Sequence, residues 1–115
     1  MVYAFPVFEN GKCKLRFRNT KPEPVTLKKI VIRQEPFIGG AVPQILNEDI
    51  LLPPNREVEY EITNSLIKYL PLHDPQKHRI GMHFDLTYEP KDDAQPEGLY
   101  WIQIVEKKIT GFGSE

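Results

Sequence analysis

Hydrophobic and polar positions alternate along this chain, most cleanly between positions 79 and 89. Ile80, Met82, Phe84, Leu86 and Tyr88 share one face; Arg79, His83, Asp85, Thr87 and Glu89 share the other. A period of two over that length predicts a β-strand with one face buried and one in water. The signature recurs over 12–18, where Cys13, Leu15 and Phe17 oppose Lys12, Lys14, Arg16 and Arg18. It recurs again over 56–62, where Val58, Tyr60 and Ile62 oppose Glu57, Glu59 and Glu61. Positions 2–8 read as a first strand that lies at a sheet edge or breaks at Pro6, whose missing N–H favours the opposite edge for any assembly by sheet augmentation. Positions 25–33 read as a strand whose phase slips, with Val25 and Leu27 on one parity and Ile30 and Ile32 on the other. The slip at Lys28-Lys29 predicts a β-bulge, or a strand end buried on both faces. A short strand is expected within 44–52, best placed at 49–52. A final strand is expected over 99–105, reaching at most Ile109, with 111–115 as a frayed tail.

The punctuation between these runs completes the fold prediction. Asn10-Gly11 sits between two alternating runs, and both residues tolerate positive φ, which predicts a two-residue hairpin turn. Thr63-Asn64-Ser65 offers capping side chains before Leu66-Ile67-Lys68-Tyr69-Leu70, and Pro71 ends the run, so one or two helical turns are expected. The charge stripes predict one pairing. Four cations on the outer face of the second strand and three glutamates on that of the fifth are best satisfied side by side. Immunoglobulin-type sandwiches use the order first, second, fifth, fourth. The expected architecture is therefore all-β: an Ig-like antiparallel β-sandwich of about seven strands. Residues 1–115 form a single domain, with one short helix between strands five and six.

Composition narrows the function classes. A hydrophobic fraction of 40% with 27% charged residues is that of an ordinary globular protein. The net charge of −1 argues against a nucleic-acid partner. No apolar run approaches the roughly 18 residues needed to span a bilayer, so no membrane insertion by this chain is expected. The first residues lack the basic start and apolar core of a signal peptide. An intracellular protein, or a soluble part of something larger such as a virion component, is therefore expected. Cys13 is the single cysteine, so no internal disulfide can form.

One stretch resembles a known family. Phe8-Glu9-Asn10-Gly11-Lys12-Cys13-Lys14-Leu15-Arg16-Phe17-Arg18-Asn19-Thr20, followed by Glu23-Pro24-Val25-Thr26-Leu27-Lys28-Lys29-Ile30-Val31-Ile32, resembles the opening of Ig-like modules of the CARDB kind. It also resembles soluble domains of archaeal type IV pilin-like and archaellum-related proteins. Leu52-Pro53-Pro54-Asn55-Arg56-Glu57-Val58 is similar to their Leu-Pro-Pro-Gly-type turn, with Asn55 where glycine is usual. The likeness covers roughly half the chain, and the apolar helix that opens such pilins has no counterpart in it. It implies a sandwich fold and a structural or adhesive role at a cell surface or in a virus particle.

No catalytic signature stands out, and neither a cofactor nor a metal is expected. His73, His78 and His83 could ligate zinc or copper, but a spacing of five puts them on no common face. Cys13 shares the parity of Leu15 and Phe17, the position of a buried apolar residue and not of a copper ligand or nucleophile. Asp92, Asp93 and Glu97 could offer oxygen ligands to calcium, though a solvated acidic loop explains them as well. Glu57, Glu59 and Glu61 lie on a flat face without a cleft. The binding candidate is an outer face. If Tyr100, Ile102 and Ile104 point inward, Trp101, Gln103 and Val105 point outward beside His83, Asp85 and Thr87. Such a face suits a protein partner or self-association, or a sugar held by Trp101 with Tyr100 or Tyr88. Reversed parity would make Trp101 a core residue instead, and a neighbouring loop could also cover it.

Overall fold

A computed structural model describes residues 1–35, 43–69 and 80–114. The elements run β1 (Val2–Glu9), β2 (Lys12–Asn19), β3 (Val25–Glu35), β4 (Gln44–Leu52), β5 (Glu57–Glu61), α1 (Thr63–Tyr69), β6 (Ile80–Glu89), β7 (Tyr100–Val105) and β8 (Lys108–Ser114). They form an all-β sandwich of two antiparallel sheets. One has three strands in the order β1-β2-β5; the other has five, in the order β4-β3-β6-β7-β8. The helix lies between strands five and six, as expected.

Local chemistry explains most of these elements. Asn10 and Gly11 have φ of 53° and 74°, and Glu9 pairs with Lys12 across a two-residue turn. Asn55 adopts φ 57°, so asparagine takes the left-handed position that the Leu-Pro-Pro turn requires. The phase slip in β3 is a register shift between Leu27 and Lys29, seen against both β4 and β6. It keeps Val25, Leu27, Ile30 and Ile32 all in the core. At the start of α1, the Thr63 hydroxyl accepts from the Cys13 N–H at 2.9 Å, tying the helix to β2.

The core lies between the sheets. Leu15 and Phe17 of β2 meet Leu27, Ile30 and Ile32 of β3, with Met82, Phe84 and Leu86 of β6 and Ile102 and Ile104 of β7. A line of aromatic rings crosses it. Phe8 stacks on Phe112 at 6.4 Å, Phe112 on Tyr100 at 5.8 Å, and Tyr100 tilts against Phe84 at 5.9 Å. Among the described residues, Asn19 is the buried polar side chain of the core. Its amide donates to the carbonyls of Glu23 and Leu52, and its Oδ1 accepts from the Lys21 N–H.

Three expectations are corrected. There are eight strands among the described residues, because 108–114 form β8 where a frayed tail was expected. The turn that creates it uses Glu106 and Lys107 at φ 51° and 63°, without the asparagine or glycine that normally marks it. The fourth strand joins β3 and not β5, following the tendency of consecutive strands to pair. It also spans Gln44–Leu52, longer than the expected 49–52.

Two consequences of this topology govern the surface. Glu48 of β4 accepts from the Tyr60 hydroxyl of β5 at 2.9 Å, so these two edges share one flank. The Phe8–Phe112 stack puts β1 and β8 together on the other flank. The edge strands β1 and β4 therefore lie on opposite sides of the molecule, one from each sheet.

Candidate functional site

The outer face around Trp101 has the expected parity. Tyr100, Ile102 and Ile104 are buried, while Trp101, Gln103 and Val105 are half-buried on the opposite face. The register decides what lies beside them. Trp101 pairs with Gly81 of β6 on one side and Gly113 of β8 on the other. The indole leans onto β8. A Cβ added to Gly113 would meet ring atoms Cε2 and Nε1 at 2.6 Å, and one added to Gly111 would meet Cζ3 at 3.1 Å. The ring thus lies along two glycines of an edge strand, covering backbone that has no side chain of its own. Gln103 leans the same way, with Oε1 3.4 Å from that Gly111 position.

The six candidate residues do not converge. Among the described residues, the β6–β7 ladder has three rungs, from Ile80↔Ile102 to Met82↔Tyr100. Because the strands are antiparallel, Gln103 and Val105 run one way from Trp101, and Asp85 and Thr87 run the other. Of the three β6 candidates only His83 is a near neighbour of Trp101, diagonally across the ladder, while Gln103 lies beside the indole over Gly111. Further along β6, Gln95 replaces a strand: its side-chain amide donates to the Leu86 carbonyl and accepts from the Leu86 N–H, both at 2.8 Å. Asp85 is engaged by Arg33, Nε to Oδ2 at 2.7 Å. His83 faces Arg33 across the β3 ladder, and Thr87 faces Lys29.

The remaining chemical candidates resolve into structural roles. Cys13 is fully buried, and burial pushes its thiol up to about 12. His73 and His78 lie outside the described residues. Among the described residues, no three His, Cys, Asp or Glu side chains are placed to hold a metal ion. Burial alone would raise the Asp92 carboxyl, but Lys21 at 2.9 Å and the N–H groups of Ala94 and Val2 hold it below the usual range. Glu57, Glu59 and Glu61 lie opposite Arg18, Arg16 and Lys14, as the charge stripes predicted. Arg16 Nη2 is 2.8 Å from Glu59, Lys14 is 3.3 Å from it, and Lys12 is 3.8 Å from Glu61. The Arg16 hydrogen bond, then Lys14, keeps Glu59 below its ordinary carboxylate range. Arg16 also lies over the Phe5 ring at 5.8 Å. Among the described ion pairs none involves Arg18.

The surface feature that the alternation did not announce is apolar. Among the described residues, the large exposed hydrophobic side chains are Met1 (62%), Tyr3 (52%) and Phe5 (39%) at β1, and Ile45 (52%) and Leu51 (58%) on β4. Both strands are sheet edges. Beside β1 a cleft of about 570 Å³ separates residues 1–5 from the 93–97 loop, with Pro96 and Tyr100 in its wall. The signal was present for β4, since Ile45 and Leu51 share the parity opposite Leu46, Ile50 and Leu52. A strand limited to 49–52 leaves Ile45 outside it.

No protein-family model matches the chain, and no curated protein or solved structure gives a significant match. Among the described residues, no helix is long and apolar enough to cross a membrane.

Proposed function

We propose that this chain is a non-catalytic structural or adhesive module that associates with protein through its edge strands. An immunoglobulin-like unit of a surface appendage or virus particle is the setting that suits it. One observation carries the reading: among the described residues, the large exposed apolar side chains lie at β1 and on β4, an edge strand of each sheet. An edge strand offers unpaired N–H and C=O groups, and apolar side chains beside them give an incoming strand both hydrogen bonds and burial. Soluble domains usually blunt such edges with charge or proline; β1 carries Pro6 and Glu9 and β4 carries Asp49, yet both also hold large apolar side chains exposed beside them. Sedimentation velocity over a concentration series tests it. Mass should rise with concentration, and Leu51→Glu should lower it.

A second reading keeps Trp101 as a platform for sugars. Its favouring observation is the indole held along Gly111 and Gly113 while half-exposed, with His83 diagonal to it and Gln103 two residues on. Quenching or a shift of the single tryptophan's fluorescence by added glycans, with a monomeric mass throughout, would favour this reading over the first.

A further inference from the structure

Edge association leaves open what kind of strand the β1 edge receives. We infer that the cleft beside β1 takes an extended segment of a partner protein in which a lysine is flanked on each side by a β-branched apolar residue. The inference rests on the proposed edge-strand association and names the chemistry of the partner.

The backbone of β1 sets the frame. The Thr20 N–H donates to the Met1 carbonyl at 2.9 Å, which marks Met1 and Thr20 as a hydrogen-bonded pair. Such pairs alternate along an antiparallel ladder. Tyr3, Phe5 and Val7 therefore turn their backbone groups toward β2, and Val2, Ala4 and Pro6 turn theirs toward the free edge. The Val2 N–H, which donates to the Asp92 carboxylate, fits that alternation. Ala4 presents both its N–H and its C=O to the cleft, which residues 1–5 line. Pro6 lacks an N–H but keeps its carbonyl, so it shortens the pairing without closing the edge.

The side chains of an incoming strand then divide by face. A residue bonded opposite Ala4 sends its side chain to the face of Ala4, toward the 93–97 loop and Tyr100. Its two neighbours fall on the other face, beside the exposed Tyr3 and Phe5. Aromatic–β-branched pairs are favourable across a ladder. Arg18 stands beside Tyr3 on that face and disfavours a cation there.

The central position suits a cation. Asp93 and Glu97 line the cleft, and no lysine or arginine does. Neither carboxylate enters a described ion pair. Nearby cations are held elsewhere: Lys21 by Asp92 at 2.9 Å, and the Met1 ammonium by the Thr20 hydroxyl at 3.1 Å. The second observation is Tyr100. It is only 8% exposed and lines the cleft, and its described contacts are ring contacts with Phe84 and Phe112, with no described hydrogen bond to its hydroxyl. Burial, then the charge of Glu97, pushes that hydroxyl up, which places the two groups at one end of the cleft. A lysine stem can lie along Pro96 and the Tyr100 ring. Its ammonium has three donors, matching two carboxylates and one hydroxyl. The cleft, about 570 Å³, has the size of a ligand site, roughly 300–1,000 Å³.

The test is an amide NMR titration of the whole chain with the capped peptide Thr-Val-Lys-Val-Thr. Amides at Tyr3, Ala4 and Phe5 and in the 93–97 loop should shift at millimolar peptide, less at high salt. The same peptide with norleucine for lysine should bind at least about tenfold more weakly. Asp93→Asn with Glu97→Gln should weaken the lysine peptide about as much and leave the norleucine peptide unchanged; far-UV circular dichroism confirms that this variant is folded, and the norleucine arm needs no variant. Capped lysine alone, a cation without a strand, should leave Ala4 unshifted. Equal binding of the lysine and norleucine peptides at β1 overturns the cation site and leaves edge association standing. Undiminished binding in the folded double variant does the same. Capped lysine that binds as well as the peptide makes the cleft a small-amine site and overturns the partner strand. Peptide shifts absent from β1 overturn the inference; if the sedimentation series also shows no association, the edge-strand reading falls with it.

Discussion

Gly113→Ala is a small change with a sign that depends on Trp101. On a strand at negative φ, replacing glycine by alanine ordinarily stabilises by about 0.4–1 kcal/mol, because the unfolded chain loses conformational freedom. Here the new methyl would sit 2.6 Å from Cε2 and Nε1 of Trp101 and 2.7 Å from Cζ2. Those are atoms in the body of a rigid ring, so the whole indole must lift off β8. Overpacking of this kind costs about 1–3 kcal/mol. The net expectation is a loss of about 1–2 kcal/mol. In a Trp101→Ala background the obstacle is gone, and the same substitution should stabilise by about 0.4–1 kcal/mol. Gly111→Ala is the internal control: its closest approach is 3.1 Å, and its cost should be smaller. Urea unfolding followed by far-UV circular dichroism gives all the values needed for the double-mutant cycle. If Gly113→Ala stabilises the wild-type chain, or has equal effects with and without Trp101, the indole does not cover β8. The reading of that residue would then be wrong.

Other outcomes follow from the same geometry. Asn19→Ala should cost about 2–4 kcal/mol, because the carbonyls of Glu23 and Leu52 lose their donor in the interior; chemical denaturation measures it. Cys13 should resist thiol reagents in the folded state and react only through unfolding, with no rise in native reactivity until pH approaches 12; labelling at graded urea tests this. Asp92 has a folded pKa below its unfolded value, so its contribution to stability is full above the unfolded pKa and fades as pH falls through the lower folded one. In Lys21→Ala, burial loses its main opponent and the Asp92 carboxyl should rise; an NMR titration of the side-chain carboxyl reads the direction.

Much of the fold was legible because β-patterning is local. The alternation at Cys13, Leu15 and Phe17, the Asn10-Gly11 turn, the slip at Lys28-Lys29 and the match of glutamates to cations each depend on a few neighbouring residues. What escaped was non-local or unmarked. Glu106-Lys107 forms a hairpin turn without the residues that announce one, so the pattern predicts a tail where β8 forms. The cue that remained was Gly111-Phe112-Gly113, two glycines on one face where a large neighbour must cover them. The side of the sandwich that β4 would take depended on pairing with β3, which no charge stripe encoded. The binding face was half legible. The parity of Trp101 followed from Tyr100, Ile102 and Ile104, but which residues would lie beside it required the β6–β7 register. That register separates Val105 from Thr87 and leaves His83 as the neighbour. The apolar edges went unnoticed because Tyr3, Phe5, Ile45 and Leu51 become conspicuous only when β1 and β4 are known to have one free side.

The central claim is that association runs through β1 and β4. Amide hydrogen exchange of the wild-type chain, measured at low and high protein concentration, tests it residue by residue. The account predicts that amides of β1 near Ala4 and of β4 between Ile45 and Leu51 exchange more slowly at high concentration, while those of β5 and β8, the other two edges, do not change. Slowing confined to the Trp101 face, or no concentration dependence anywhere, would contradict it.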